Sequence, residues 1–105
     1  MEMAKAASMA RELMDGHVLR GWRLDFDRAR RRAGVTRYAE RTISLSSLIV
    51  PLCTVDQVRD TVLHEIAHAL VGPEHGHGPV WKKTAVELGA LPRATERGLP
   101  TPPAP

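Results

Sequence analysis

Val62-Leu-His-Glu-Ile-Ala-His-Ala-Leu-Val71 is the stretch on which the fold and the chemistry of this 105-residue chain turn. Apart from His64, Glu65 and His68, every residue in it is valine, leucine, isoleucine or alanine. A segment apolar on nearly all sides belongs to a buried helix. Three ionisable groups are costly to bury there without a strong partner. Histidines four apart lie one above the other on a helix, so both imidazoles reach a single ion. Glu65 leans to one side of that axis, beside the water a metal would activate. The H-E-x-x-H pattern therefore points to one Zn2+ per chain, with His64 and His68 as ligands and Glu65 as catalytic base. Glu65 takes a proton from the attacking water and passes it to the leaving amine.

The flanks bound this helix. Thr54-Val-Asp-Gln57 is a capping box, and Gly72-Pro73 ends the helix after Val71. The loop Glu74-His-Gly-His-Gly78 leads to a last helix that starts at Pro79, carries Trp81, Ala85 and Leu88 on its inner stripe and stops at Gly89. A catalytic zinc needs a third protein ligand and one open position. Val71 and Glu74 stand where the metzincin pattern needs glycine and histidine, so that class is excluded. Glu74, His75, His77 and the more distant Glu87 remain. His77 is assigned as the third ligand, because Gly78-Pro79-Val-Trp81 fixes the loop as it enters the last helix. His75 is its rival, and otherwise lines the site or contacts substrate.

Upstream, Glu2 to Asp15 has helical apolar spacing with Gly16 as its stop. Trp22, Leu24 and Phe26 alternate with polar residues in a strand over Trp22–Asp27. Arg28 to Tyr38 holds a turn and a second short strand, and Arg41–Ser46 alternates as a third. The expected architecture is α+β: an N-terminal helix, a small three-stranded sheet, the H-E-x-x-H helix and a C-terminal helix. One domain should span residues 1–90, followed by a flexible proline-rich tail over 91–105 with five prolines in fifteen residues.

Composition narrows the classes. Hydrophobic residues make up 43% of the chain, too many for disorder. Cys53, the only cysteine, rules out an internal disulfide framework and a cysteine-ligated zinc ribbon, and reads as a small buried apolar residue. Charged residues interrupt the first sixteen positions, and no apolar run reaches membrane-spanning length. A cytoplasmic monomer without membrane contact is expected.

Eight arginines against three acids between His17 and Ser44 give that segment a charge of +5, leaving −2 for the rest. Such asymmetry suits a polyanionic partner, DNA foremost. Arg28, Arg30, Arg31, Arg32, Arg37 and Arg41 are the candidates for phosphate contacts that read no base sequence; a solvated arginine face is the plainer alternative. Tyr38 is a candidate auxiliary donor to the oxyanion, or a structural tyrosine. Trp22 and Trp81 read as core residues, and His17 as a surface residue near a helix end.

The pairing of His64-Glu-Ile-Ala-His-Ala-Leu70 with Gly76-His-Gly-Pro-Val-Trp81 resembles the SprT-like metallopeptidase domain, related to the Spartan proteases. The upstream helix, the Trp22 strand, Arg31-Arg-Ala-Gly34 and Thr42-Ile-Ser-Leu-Ser46 extend the likeness over roughly residues 3 to 90. It implies a zincin-like core, His64, His68 and His77 as zinc ligands, and Glu65 as general base. It also implies proteolysis of protein substrates held at DNA, including those crosslinked to it. Many relatives continue into a C-terminal cysteine zinc ribbon, where this sequence has Pro100-Thr-Pro-Pro-Ala-Pro105. A nucleic-acid-binding module with a purely structural zinc, closed by a fourth ligand such as His75, is the second reading. A degenerate or regulatory protein that never cleaves is the third.

Overall fold

The computed structural model describes residues 1–93 and 98–104. Three α-helices, α1 (Met3–Gly16), α2 (Val55–Val71) and α3 (Pro79–Leu88), surround a sheet of β1 (Arg23–Asp27), β2 (Gly34–Arg37) and β3 (Thr42–Ser46). Short 3₁₀ turns lie at Val50–Leu52 and Pro73–His75. The α+β expectation holds, and each element forms within a residue or two of its expected bounds.

Helix α2 is the hub on which α1, β2 and α3 all pack. Its start is the expected capping box: Gln57 N–H donates to Thr54 Oγ1 at 3.2 Å, and Thr54 N–H donates to Gln57 Oε1 at 2.9 Å. From Thr61 to Ala67 every residue is buried, because neighbours cover the helix on all sides. Its C-terminus closes on Gly72 at φ +90°, a conformation L side chains rarely adopt. The apolar stripe of α1, Ala6, Ala10 and Met14, is buried at four-residue spacing.

The exit from α1 departs from expectation. Gly16 is the last helical residue, but the residue that turns the chain is Val18, at φ +69° and 87% exposed. A β-branched side chain there stores roughly 1–2 kcal/mol of backbone strain. Arg11 fastens this turn. Its guanidinium bonds the Asp15 carboxylate at 2.8 Å and donates to the carbonyls of Leu19 at 2.9 Å and Trp22 at 2.7 Å.

Strand order is β1-β3-β2, with β1 parallel and β2 antiparallel to β3. The central strand β3 is buried along its whole length, so its alternation does not mark a solvated face. Ser46 instead satisfies backbone groups: its hydroxyl donates to the Ala29 carbonyl and accepts from Leu48 N–H at 3.2 Å and Ile49 N–H at 3.1 Å. The alternation expected of β1 weakens towards its end, where Phe26 on this edge strand is 38% exposed.

Residues 94–97 and 105 of the expected tail lie outside the described residues. The rest of 91–104 forms neither helix nor strand, yet touches the domain. Leu91 N–H donates to Asp60 Oδ1 at 2.7 Å, Gln57 Nε2 donates to the Gly98 carbonyl at 3.3 Å, and Leu99 packs on the core. Among the described residues, no helix is long and apolar enough to cross a membrane.

Candidate active site

The geometry of α2 sets two imidazoles one turn apart on its buried face, and the loop before α3 supplies a third. Gly76 at φ +52° and the Gly78 N–H to His75 carbonyl bond of 3.0 Å bend that loop so that His77 points back at α2. The Nε2 atom of His77 then lies 3.2 Å from Nε2 of His64 and 2.9 Å from Nε2 of His68. Three nitrogens each about 2.05 Å from a tetrahedral zinc stand about 3.3 Å apart, so the observed spacing fits one ion in their midst. Among the described residues these three form the one group able to hold a metal.

Trp81 is the floor of this cluster. It is 0% exposed, and its ring centroid lies 4.6 Å from that of His64, 5.2 Å from His68 and 4.8 Å from His77. Its indole N–H donates to the His64 carbonyl at 3.4 Å. Reading Trp81 as a core residue is correct but incomplete: from the first turn of α3 its indole also packs against all three histidine rings.

Burial lowers the pKa of His64 to about 4, helped by the neighbouring His68 and His77. It lowers that of His68 to about 4 as well, helped by His77. Both rings are neutral at physiological pH and present lone pairs, as metal binding requires. In the metal-free chain the consequence is a sign that can be measured. The unfolded chain takes up protons near pH 6.5, while these two folded rings refuse them until about pH 4. The unfolded state therefore binds more protons across that window, and stability falls as pH drops through it. At pH 5.5 the loss should be on the order of 1 kcal/mol per ring relative to pH 7.5. Thermal melts of chelator-treated protein should show it, and an unchanged or raised melting temperature at pH 5.5 would contradict it.

Glu65 is 6% exposed and lies between β2 and the histidines. Its Oε1 accepts from Thr36 Oγ1 at 2.9 Å, and its Oε2 lies 3.9 Å from His64 Nε2. Gly34, Val35, Thr36, Tyr38, His64, Glu65, His68 and His77 line a single open cleft of about 330 Å³. Tyr38 is among them, and its phenol pKa is raised by burial and by the charges of Glu65 and Glu74. At neutral pH it keeps its proton and can donate it.

His75 is not in the cluster. It is exposed on the loop, with Nε2 3.8 Å from the Glu74 carboxylate. Glu74 and Glu87 are exposed and also stand outside the cluster. The six nominated arginines differ in the partners they already have. Arg32 pairs with Asp27 at 3.0 Å, Arg37 approaches the same carboxylate at 3.8 Å, and Arg30 donates to the carbonyls of Pro102 and Pro103. Arg28, Arg31 and Arg41 are exposed. Thr36 and Gly34 are the site residues that sequence reasoning passed over.

The profile of the SprT-like family matches residues 4–100. The chain belongs to the SprT-like family. This is a family of metallopeptidase-like domains, and the match runs through every element that lines the cleft. No curated protein and no solved structure matches the chain.

Proposed function

We propose that this SprT-like domain is a cytoplasmic, monomeric zinc endopeptidase with a zincin-type centre, acting on proteins held at or crosslinked to DNA. The observation that carries the reading is the convergence of three imidazole nitrogens beside a buried carboxylate in one open cleft. His64, His68 and His77 would hold the zinc ion, which when bound would supply Lewis acidity toward water and the scissile carbonyl. Glu65 takes the proton of the attacking water as the water oxygen bonds to the carbonyl carbon. It then delivers that proton to the amine nitrogen as the C–N bond breaks. Tyr38 donates a hydrogen bond from its phenol O–H to the developing oxyanion and keeps its proton. With His75 outside the cluster, three protein ligands leave the open position that catalysis needs, which favours this reading over a closed structural zinc.

The DNA element of the proposal rests on the exposed Arg28, Arg31 and Arg41, with Arg30, Arg32 and Arg37 available when phosphate displaces their present partners. The test is a cleavage assay with the zinc-loaded chain and a basic DNA-binding protein, with and without DNA. Cleavage should be faster with DNA at about 50 mM salt and lose most of that advantage by about 200 mM. Cleavage indifferent to DNA would remove the arginines from the function. A chain that holds one zinc and cleaves no protein would remove the peptidase.

A further inference from the structure

We propose that Thr36 is a positioning residue for the peptidase reaction: it holds Oε1 of Glu65 and so leaves Oε2, the oxygen turned to the histidine nitrogens, to carry the proton. This deepens the peptidase reading and rests on it. The Thr36 hydroxyl has one proton and two acceptors within reach, the Glu65 carbonyl at 3.0 Å and Glu65 Oε1 at 2.9 Å. A hydrogen bond to an ionised group is about twice as strong as one to a neutral carbonyl. Were the proton given to the carbonyl, the hydroxyl lone pairs would face a carboxylate oxygen at 2.9 Å, which is repulsive. The proton therefore goes to Oε1.

That bond divides the work between the two oxygens. Oε1 is tied to the sheet, and Oε2 lies 3.9 Å from His64 Nε2, on the side where the three ring nitrogens meet. A carboxylate on its own can rotate and exchange its oxygens. This one is anchored from a strand whose residue Thr36 is paired with Ile43 of β3. The β-branched threonine adds stiffness at χ1.

Gly34 makes the contact possible. It lies two residues before Thr36 and so on the same face of β2. A Cβ there would stand 2.9 Å from Thr61 Cγ2 and 3.2 Å from Glu65 Cγ. Without that side chain the strand approaches α2 closely enough for a short hydroxyl to reach the carboxylate.

The test compares Thr36→Val, which keeps the shape and the strand preference but has no proton to give, with Thr36→Ser, which restores the hydroxyl. In the zinc-loaded chain, Thr36→Val should lower kcat about tenfold while KM and zinc content stay as in the wild type, and Thr36→Ser should recover most of the rate. A second readout needs no turnover. In the metal-free chain labelled at glutamate carboxyl carbons, the Glu65 resonance, identified by its absence from Glu65→Gln, should move in Thr36→Val and return in Thr36→Ser. Should Thr36→Val not fold, Thr36→Ala is measured in the same way. Wild-type kcat without the hydroxyl, or an equal loss in the serine and valine variants, would overturn the proposal. So would an unmoved carboxyl resonance. A wild-type chain that binds zinc and cleaves nothing would sink the peptidase reading, while the resonance would still decide whether Thr36 holds the carboxylate.

Discussion

Glu65→Gln is expected to lower the rate of peptide hydrolysis by two to four orders of magnitude, the range spanned by loss of a positioned general base, with zinc content and fold retained. Glutamine has the length and planarity of the carboxylate it replaces. Its amide oxygen accepts from Thr36 as Oε1 does, so the contact between β2 and α2 survives. None of the three candidate ligand nitrogens belongs to residue 65. What the amide lacks is basicity. It cannot take a proton from water, nor return one to the leaving nitrogen. Elemental analysis should still find one zinc per chain, and the melting curve should lie close to that of the wild type. A variant that cleaves at the wild-type rate would remove Glu65 from the chemistry. A variant that loses zinc as well as activity would show the carboxylate to be part of the metal site, which the peptidase reading does not permit.

What could be read in advance follows the range over which each determinant acts. The capping box at Thr54 and Gln57, the first-turn Pro79 and the left-handed Gly89 depend on residues within one turn of one another, and each fell where local rules put it. His64, Glu65 and His68 are of the same kind, since one helix sets their spacing. Thr36 is the opposite case: it meets Glu65 across 29 residues of sequence, and nothing in its neighbourhood distinguishes it from any other β-branched strand residue. Gly34 carries no local sign of its role, which is to let a strand approach a helix. The sheet order β1-β3-β2, with its parallel pair, likewise depends on pairing between strands distant in sequence and leaves no mark on any single strand.

The arginines teach a related lesson. Their net charge was legible, but the field they present depends on which of them are already satisfied. Asp27 engages Arg32 and Arg37, and carbonyls of the C-terminal segment engage Arg30. Neither pair is a fully exposed one: the Asp27 side chain is 20% exposed, and the oxygen that meets both guanidinium groups is buried. A phosphate must outcompete that carboxylate for Arg32 and Arg37, whereas the exposed Arg28, Arg31 and Arg41 are open to it at once.

His77→Ala and His75→Ala should separate completely, because two histidines on one loop stand in different environments. His77 has Nε2 within 3.2 Å of both other ring nitrogens and its ring packed edge-on against Trp81. His75, two residues earlier, is exposed and faces Glu74. Removing His77 leaves a two-nitrogen site four residues apart on a helix, which cannot complete the coordination a catalytic zinc requires. Zinc content should then fall well below one per chain after dialysis against a weak chelator. The stabilisation that zinc confers by binding only the folded state should fall with it. That stabilisation is about 2.7 kcal/mol when free zinc is a hundredfold above its dissociation constant. Melting temperatures of His77→Ala with and without added zinc should accordingly converge, while those of His75→Ala should stay as far apart as in the wild type. The reverse pattern, zinc kept without His77 and lost without His75, would require the loop to turn by two residues, drawing Gly76 into the cleft and moving His75 onto the indole. A protein that lost zinc in both variants would hold its metal through four ligands, and the position that hydrolysis needs would be closed.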